Sequence, residues 1–577
     1  MRCSIFFAVL LVVQLFASCK DDNESEMREG PVITLDAESA RYRVKEGRDL
    51  VITPTYDYVD EASSYVWKLN QKVVGRESSY TFNEAVAGEY FLKLQVMNDY
   101  GVAEEELKIT VLPLNAPMIS LYVPEEGFKT IQNQELVFAP EVENGENATY
   151  VWKVNGVQVA STLTYTFKQA ETGTYQVSLT ASSDDGEDQL EFVVNICDPS
   201  ELPFSWSFPQ TEFNLSEGRS VKVKAYLIEN DFGGVYTWTL DGNVVGEGAA
   251  TEYVFEGKTQ GVHRLVLTMK NEHGTVSQEF SMNVCPPEGT YRKLPTSDSR
   301  ALINRVYEFM PAPGHQVNGY MYGASYPANI SHAAVCDTIM NRFERGLSQE
   351  PKEWWSISLG ACGGYVIVGF DHSVENSGDY DLIIGGNPYG YQSEPGIIWV
   401  SQDENGDGLP NDTWYELKGS EYGGGKQILE YAITYYQPTK KQVAIKWTDN
   451  LGKSGIVPHM TYWNPSDSYY QSWLPSGSVT FYCSRLVDHS TYVDGYSSMP
   501  AYPWGYTDNL GSDYFNGIAG HAGYFKISNA VTFDGKAANL KYIDFVKIQT
   551  APVGYTPNLG EISTEVKPIF DYHLYKE

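Results

Sequence analysis

One short stretch of the sequence carries oxygen ligands at the spacing that a hard cation needs. In residues 403–412, side-chain oxygens occupy the first, third and fifth positions and glycine the sixth, which is typical of a Ca²⁺-binding loop. The predicted ligands are four side chains and one backbone carbonyl: Asp403, Asn405, Asp407 and Asp412, with the carbonyl of Leu409. The glutamate expected at the twelfth position is absent, because Trp414 stands there. We expect a structural rather than a catalytic Ca²⁺, and the alternative is a polar hairpin without metal.

Aromatic residues are the second chemical signal, since they make up 14% of the chain and include 42 Tyr and 12 Trp. They concentrate in two loops, residues 460–473 and 496–506, neither of which alternates as a core strand would. Such rings offer rigid contact area to the flat face of a sugar or a macrocycle. The predicted ligand-binding residues are Trp463, Tyr469, Tyr470, Trp473, Tyr502, Trp504 and Tyr506. The alternative is that these rings pack inside long loops.

Catalytic motifs are missing from the sequence, which argues against an enzyme. The seven histidines from His315 onward form neither HExxH nor HxH, and the chain has no GxSxG, P-loop or GxGxxG motif. A glycan hydrolase with paired carboxylates remains the enzymatic alternative, although no pair stands out. The net charge of −33, without clusters of Lys and Arg, argues against a nucleic-acid partner.

The first 19 residues have the pattern of an export signal. Arg2 precedes an apolar stretch too short to span a bilayer, and Phe-Ala-Ser-Cys at residues 16–19 resembles a bacterial lipobox. Cys19 is therefore predicted to carry the lipid anchor; ordinary cleavage near Cys19 is the alternative. Residues 20–30 form an acidic linker that resembles the export signal of surface-displayed lipoproteins. We expect attachment by lipid to the exposed face of the outer membrane.

Three repeats follow the linker. Hexapeptides that begin at Tyr65, Tyr150 and Tyr236 share a central tryptophan, and these tryptophans are 85 and 86 residues apart. Each is followed by Tyr-x-Phe and a Gly-led alternating strand, which is typical of a β-sandwich. The predicted repeats are residues 31–113, 114–197 and 198–286. They resemble PKD-like immunoglobulin-type modules of bacterial surface proteins, and this resemblance implies a stalk.

Residues 287–577 show no such period and are predicted to form one larger domain. Ser299–Phe309 and Cys336–Leu347 favour short helices, and from Gly363 onward the pattern favours many strands with long loops. The predicted fold class is therefore mostly β, with three tandem Ig/PKD-like sandwiches followed by a larger jelly-roll-like β domain with short helices. This domain holds eight of the 12 Trp, whereas the rest of the chain carries −22 of the net charge. We expect an acidic spacer followed by a binding domain.

Six motifs of the C-terminal domain together resemble one family. They are YEFMPAPGHQVN at 307–318, GYVIVGFDH at 364–372, EPGIIWV at 394–400, DTWYELKGSE at 412–421, YIDFVK at 542–547 and GEISTE at 560–565. The set resembles lipid-anchored cell-surface proteins that accompany TonB-dependent outer-membrane transporters, some of which belong to cobamide (vitamin B12) uptake systems. The resemblance implies a corrinoid-binding surface protein with a TonB-dependent transporter as partner. A glycan-binding lipoprotein of a polysaccharide-uptake system and an adhesin are the alternatives.

Overall fold

The computed structural model describes residues 30–575 apart from residues 36, 38, 39, 61, 85, 122, 125, 318–329, 349–354, 461–467, 494–495, 517–520 and 557–558. The predicted signal peptide, Cys19 and all of the acidic linker except Gly30 therefore lie outside the described residues. Within them, three small sandwiches precede a larger β domain, which confirms the mostly β class. No helix in this part of the chain has the length and hydrophobicity needed to cross a bilayer.

Each sandwich is built from nine strands in the described residues. The first contains β1 (Val32–Thr34), β2 (Arg41–Lys45), β3 (Leu50–Ile52), β4 (Thr55–Asp57), β5 (Ser64–Leu69), β6 (Lys72–Gly75), β7 (Tyr80–Phe82), β8 (Gly88–Asn98) and β9 (Gly101–Leu112). The second contains β10 (Met118–Ser120), β11 (Phe128–Ile131), β12 (Leu136–Phe138), β13 (Glu141–Glu143), β14 (Thr149–Val154), β15 (Val157–Ala160), β16 (Tyr165–Phe167), β17 (Gly173–Ser183) and β18 (Gly186–Cys197). The third contains β19 (Ser205–Ser207), β20 (Glu212–Ser216), β21 (Ser220–Lys224), β22 (Tyr226–Glu229), β23 (Val235–Leu240), β24 (Asn243–Gly248), β25 (Glu252–Glu256), β26 (Gly261–Asn271) and β27 (Gly274–Cys285).

The three sandwiches share one strand order and one buried tryptophan. A five-stranded sheet runs β2-β9-β8-β5-β6 in the first sandwich, and its counterparts follow the same order in the other two. Trp67, Trp152 and Trp238 are at most 1% exposed, and each indole N–H donates to a backbone carbonyl at 2.8 to 3.0 Å. A large ring fills the space between the sheets, while its one polar atom keeps a partner. This requirement explains why the tryptophan motif recurs.

The C-terminal domain contains one α-helix and twenty strands in the described residues. They are β28 (Arg305–Met310), α1 (His332–Ser348), β29 (Ile357–Ser358), β30 (Tyr365–Glu375), β31 (Leu382–Gly385), β32 (Gly396–Ser401), β33 (Trp414–Leu417), β34 (Gln427–Tyr436), β35 (Ile445–Asp449), β36 (Ser454–Val457), β37 (Ser478–Leu486), β38 (Thr491–Val493), β39 (Tyr496–Ser498), β40 (Tyr514–Asn516), β41 (His521–Phe525), β42 (Ala530–Val531), β43 (Tyr542–Thr550), β44 (Tyr555–Thr556), β45 (Gly560–Glu561), β46 (Glu565–Val566) and β47 (Ile569–Asp571). Short 3₁₀ turns lie at Pro199–Glu201, in the third sandwich, and at Ile527–Asn529.

A six-stranded antiparallel sheet, β28-β30-β43-β32-β33-β42, forms the centre of this domain. Its main core also includes residues of the four-stranded sheet β40-β41-β31-β47, such as Leu382 and Ile569. A second core contains residues of the other four-stranded sheet, β36-β35-β34-β37. The central strand β43 is buried along almost its whole length, as expected for a strand covered on both faces.

One predicted helix is a strand, and the reason is a bulge. Cys336–Leu347 is helical as predicted, within α1, but Ser299–Phe309 contains part of edge strand β28, which pairs with β30. The pairing register shifts between Val306 and Glu308, so Val306 and Phe309 are both buried although they are three positions apart. An inserted residue converts the two-residue period of a strand into the spacing of a helix face.

Candidate functional site

Four of the seven predicted aromatic ligands are interior residues. Tyr469, Tyr470, Tyr502 and Tyr506 are 1%, 6%, 3% and 1% exposed. Their hydroxyls also have internal partners; for example, that of Tyr502 donates to the carbonyl of Val487 at 2.5 Å. A stacking ligand needs an exposed ring face. The prediction that these four rings are exposed to a ligand is therefore wrong, and they pack inside the domain instead.

Trp473 is also mainly structural, and Trp463 lies outside the described residues. The Trp473 ring packs against the main core at 6.2 Å from the ring of Phe309, and its Nε1–H donates to the Phe309 carbonyl at 3.2 Å. The indole therefore fixes the long loop to strand β28. Among the predicted aromatic residues that the structure describes, this leaves Trp504 as the best candidate for ligand contact.

Trp504 is partly exposed and lines a cleft of about 340 Å³. The cleft lies where the loop before β40 meets β41 and the end of β33. Its other lining residues are Tyr380, Leu417, Lys418, Gly505, Ser512, Asp513, Tyr524, Phe525, Lys526 and Asn529. Four aromatic side chains, Trp504 among them, thus share the cleft with a carboxylate, an amide and two ammonium groups. Small-ligand sites have this combination of apolar rings and a few polar groups.

The polar groups of the cleft are arranged around its aromatic wall. The rings of Tyr380 and Tyr524 meet edge to face at 5.7 Å, and Lys526 Nζ lies 4.7 Å from the Tyr380 ring centroid. Asp513 accepts the N–H of Gly505 at 2.6 Å with Oδ2, whereas its buried Oδ1 has no hydrogen-bond partner among the described residues. Burial raises the pKa of Asp513. Asp513 thus contributes a carboxyl oxygen whose hydrogen-bonding capacity is unused among the described residues.

A second group of exposed aromatics was not among the predicted ligand-binding residues, although one member, Tyr496, lies in the predicted aromatic segment 496–506. Tyr389, Tyr391 and Tyr496 are each 79% exposed. Tyr389 and Tyr391 lie in the turn before β32, and Tyr496 begins β39. The two segments are joined by backbone hydrogen bonds, from Met499 N–H to the Tyr391 carbonyl at 2.6 Å and from Ser393 N–H to the Met499 carbonyl at 3.0 Å. In the sequence, the pair of tyrosines in a Pro- and Gly-flanked turn, residues 387–395, could have indicated that Tyr389 and Tyr391 are exposed.

The predicted metal loop connects β32 to β33 and is held by its own side chains. Asp403, 1% exposed, accepts the N–H of Gly408 at 3.2 Å, and Asp407 Oδ1 accepts the N–H of Leu409 at 2.7 Å. Asn405 donates to Asp407 Oδ2 at 2.9 Å. Gly408 has φ of 74°, a conformation that other residues rarely adopt. Asn405 and Asp407 are thus in direct contact and Asp403 is tied to the same turn, although the three aspartates of the loop do not all bring an oxygen within 4.8 Å of one another.

Asp412 differs from the other predicted side-chain ligands because its carboxyl group lacks hydrogen-bond partners in the described part of the chain. It is 1% exposed, and neither carboxylate oxygen has a hydrogen-bond partner among the described residues. Burial raises the pKa of Asp412 to about 9, and the nearby charges of Glu404 and Asp403 add to the effect. Asp403 itself pairs with Lys293 Nζ at 2.8 Å. The loop thus places a buried carboxyl group close to other carboxylates.

Another carboxyl cluster was missed by sequence reasoning because its members are far apart in the chain. Side-chain oxygens of Glu394, Asp508 and Glu565 lie within 4.8 Å of one another. Burial raises the pKa of Glu394 to about 8 and that of Asp508 to about 7. Asp508 accepts the backbone N–H groups of Asn387 and Glu565 at 2.7 and 3.0 Å. The cluster joins two loops to strand β46, and none of its members lines the Trp504 cleft.

The PKD-like domain family matches residues 30–98 and 116–183, which confirms the class predicted for the first two sandwiches. The third has the same strand order. Domains of this class are compatible with a surface adhesion or binding role. No curated protein matches the chain in sequence.

Solved structures that resemble the chain also consist of Ig-like or fibronectin-like domains. Immunoglobulin domains 1–5 of Sidekick-1 are 13% identical, with a TM-score of 0.19, over 46% of this chain and 60% of that chain. Fibronectin(III)-like modules of Clostridium thermocellum CbhA are 18% identical, with a TM-score of 0.16, over 29% of this chain and 94% of that chain. Titin domains I67–I69 are 10% identical, with a TM-score of 0.14, over 44% of this chain and 99% of that chain. The chain thus spans less than two thirds of the solved Sidekick-1 chain, and TM-scores this low carry no functional argument.

Proposed function

We propose that this chain is a lipid-anchored surface protein of the outer membrane whose C-terminal domain captures a nutrient. In this proposal Cys19 carries the lipid, the three acidic sandwiches hold the binding domain away from the membrane, and a TonB-dependent transporter receives the ligand. The observation that carries the binding role is the Trp504 cleft. The chain acts by non-covalent capture and not as an enzyme.

The cleft favours a ligand that combines a flat apolar face with hydrogen-bond donors. Trp504, Tyr380 and Tyr524 supply ring faces and edges, and Asp513 supplies a buried acceptor. Lys418 and Lys526 offer donors on the same wall. A neutral ring bearing hydroxyl or amide groups matches this lining, because stacking and hydrogen bonding then act together.

Two ligand classes meet this description. A corrinoid is the ligand that the family resemblance implies, and it would place an amide-bearing edge in the cleft while the rest of the macrocycle lies across the mouth. A glycan is the second class, supported by the cleft volume of about 340 Å³, which suits a small ring system. Both ligands would use the same indole face of Trp504.

Calorimetry distinguishes the two classes. The mature chain is titrated with cyanocobalamin and with a panel of oligosaccharides, and the same titrations are made with Trp504→Ala. Tyr436→Ala is the matched control, because Tyr436 is an aromatic residue of the same domain, 42% exposed, that does not line the cleft. We expect one class to bind, Trp504→Ala to weaken it and Tyr436→Ala to leave it unchanged. Absence of binding to both classes would refute the proposal.

The cellular part of the proposal has its own test. Cys19→Ala should release the protein from the membrane fraction and abolish incorporation of labelled fatty acid. Protease added to intact cells should digest the anchored wild-type protein if it faces outward. Crosslinking in intact cells should recover a TonB-dependent transporter. Protection from external protease would contradict the surface location without affecting the ligand-binding result.

A further inference from the structure

The predicted metal loop lies at the contact between the third sandwich and the C-terminal domain. Asn214 of β20 donates to the carbonyl of Asn411 at 3.0 Å, and the Thr413 hydroxyl donates to the carbonyl of Asn214 at 2.9 Å. The N–H of Ser216, also in β20, donates to Glu404 Oε1 at 3.0 Å. Strand β20 therefore forms hydrogen bonds with both the beginning of the loop, at Glu404, and its end, at Asn411 and Thr413.

Further contacts surround the loop and join the same two domains. Lys222 and Lys224 of β21 both form ion pairs with Glu430 of β34. Arg219 donates to the carbonyl of Ala538 and pairs with Glu288 at 3.2 Å. The third sandwich and the C-terminal domain thus meet over several polar contacts, with the metal loop among them.

The charges of the loop are only partly balanced within the protein. Lys293 pairs with Asp403, and the positive charge of Arg219 acts on Glu404. Asp407 receives hydrogen bonds only from neutral groups in the described contacts. Asp412 is 99% buried, since its exposure is 1%, and the residues that the structure describes offer no hydrogen-bond partner to either of its side-chain oxygens. A buried carboxylate in this state is unfavourable unless a cation or donor reaches it.

Asp412 also forms part of the domain contact through its backbone. Its main chain makes a parallel β-bridge with Asn214 of the third sandwich. The orphaned carboxyl group therefore belongs to the residue that lies directly against β20. A ligand that ordered this side chain would also order the backbone that β20 contacts.

We propose that Ca²⁺, bound by the side chains of Asp403, Asn405, Asp407 and Asp412, locks the third sandwich onto the C-terminal domain. Ca²⁺ takes six to eight oxygen ligands in flexible geometry, which this mixed set of carboxylates and an amide satisfies with carbonyl and water oxygens. The Lys293 side chain, 48% exposed, swings into solvent when the ion replaces it on Asp403. External Ca²⁺ then sets the stiffness of the connection between spacer and binding domain. This inference does not depend on which nutrient is bound.

Direct titration tests the metal site. The mature chain, freed of metal with a chelator, is titrated calorimetrically with CaCl₂ and with MgCl₂. We expect one Ca²⁺ per chain, weaker Mg²⁺ binding, and at least a tenfold loss of Ca²⁺ affinity in Asp412→Asn and in Asp407→Asn. Asp407 is exposed, so its variant should fold even if the Asp412 variant does not. Asp534→Asn is the control, because Asp534 pairs with Lys536 elsewhere on the surface. No Ca²⁺ binding, or unchanged binding in both loop variants, would overturn the site.

Hydrogen exchange tests the locking. At a hundredfold excess of Ca²⁺ over its Kd, amide exchange in β20 should slow by about tenfold or more, because binding opposes the opening of this contact. The equivalent strand β11 of the second sandwich is the internal control and should exchange at an unchanged rate. If Ca²⁺ binds and β20 exchanges no more slowly than before, the ion has no locking role and the proposal fails.

Discussion

Replacement of Trp504 by alanine separates ligand contact from folding. The indole lines the cleft and is only partly buried, so a ligand ring laid against it would remove roughly 80 Å² of apolar surface from water. At about 25 cal/mol per Å² this contributes about 2 kcal/mol, or about thirtyfold in affinity. Trp504→Ala should therefore weaken binding by about thirtyfold, while the melting temperature changes little.

Tyr506, two positions further along the same loop, provides the comparison. Its ring is 1% exposed and its hydroxyl accepts the N–H of Glu421 at 3.1 Å. Removing a fully buried aromatic ring costs about 3–5 kcal/mol, so Tyr506→Ala should lower the melting temperature by about 6 °C or more. Calorimetric titration and thermal unfolding are measured on both variants. If Trp504→Ala unfolds as readily as Tyr506→Ala, or binds as the wild type does, Trp504 does not contact the ligand.

Three further predictions concern stability and domain roles. Trp152→Phe leaves the Thr162 carbonyl without its indole donor and should lower the free energy of unfolding by about 1–3 kcal/mol in denaturant titrations. Burial raises the pKa of Glu394 to about 8 and of Asp508 to about 7, so the folded chain holds more protons than the unfolded one from about pH 4 upward, and stability should fall as pH rises to 8. Glu394→Gln should flatten this slope, and an unchanged slope would contradict the assignment. A fragment of residues 198–577 should keep the full ligand affinity by calorimetry; binding by residues 20–197 would contradict the division of roles.

The sandwiches were predictable because their core repeats in the sequence. Each tryptophan needs the same two things, space between sheets and a carbonyl for its N–H, and these constraints recur about every 85 residues. The edge strand β28 was not predictable in the same way. Its bulge between Val306 and Glu308 changes the period of buried residues, so a periodicity argument reports a helix.

The aromatic loops show a different limit of sequence reasoning. Tyrosine has an apolar ring and a polar tip, so a Pro- and Ser-rich loop can bury it if the hydroxyl meets a backbone group. Tyr470 does this by donating to the carbonyl of Pro475 at 2.5 Å. Composition identifies such loops as rich in contact area, but it does not distinguish Tyr506, which faces the interior, from Trp504, which faces the cleft. Only the packing of the folded domain determines which of these rings is exposed to solvent.

The predicted metal loop and the cleft are connected by one short strand. Strand β33 begins immediately after the loop, at Trp414, and ends at Leu417, which lines the cleft together with Lys418. Four residues of strand span about 13 Å, so the contact with the third sandwich lies close to the candidate ligand site. The spacing pattern at residues 403–412 identified the candidate ligands, but the approach of β20 depends on contacts between residues nearly 200 positions apart, such as Asn214 and Asn411. The third sandwich therefore lies against the part of the C-terminal domain that leads into the wall of the cleft, so ordering of this loop would affect both the domain contact and the cleft.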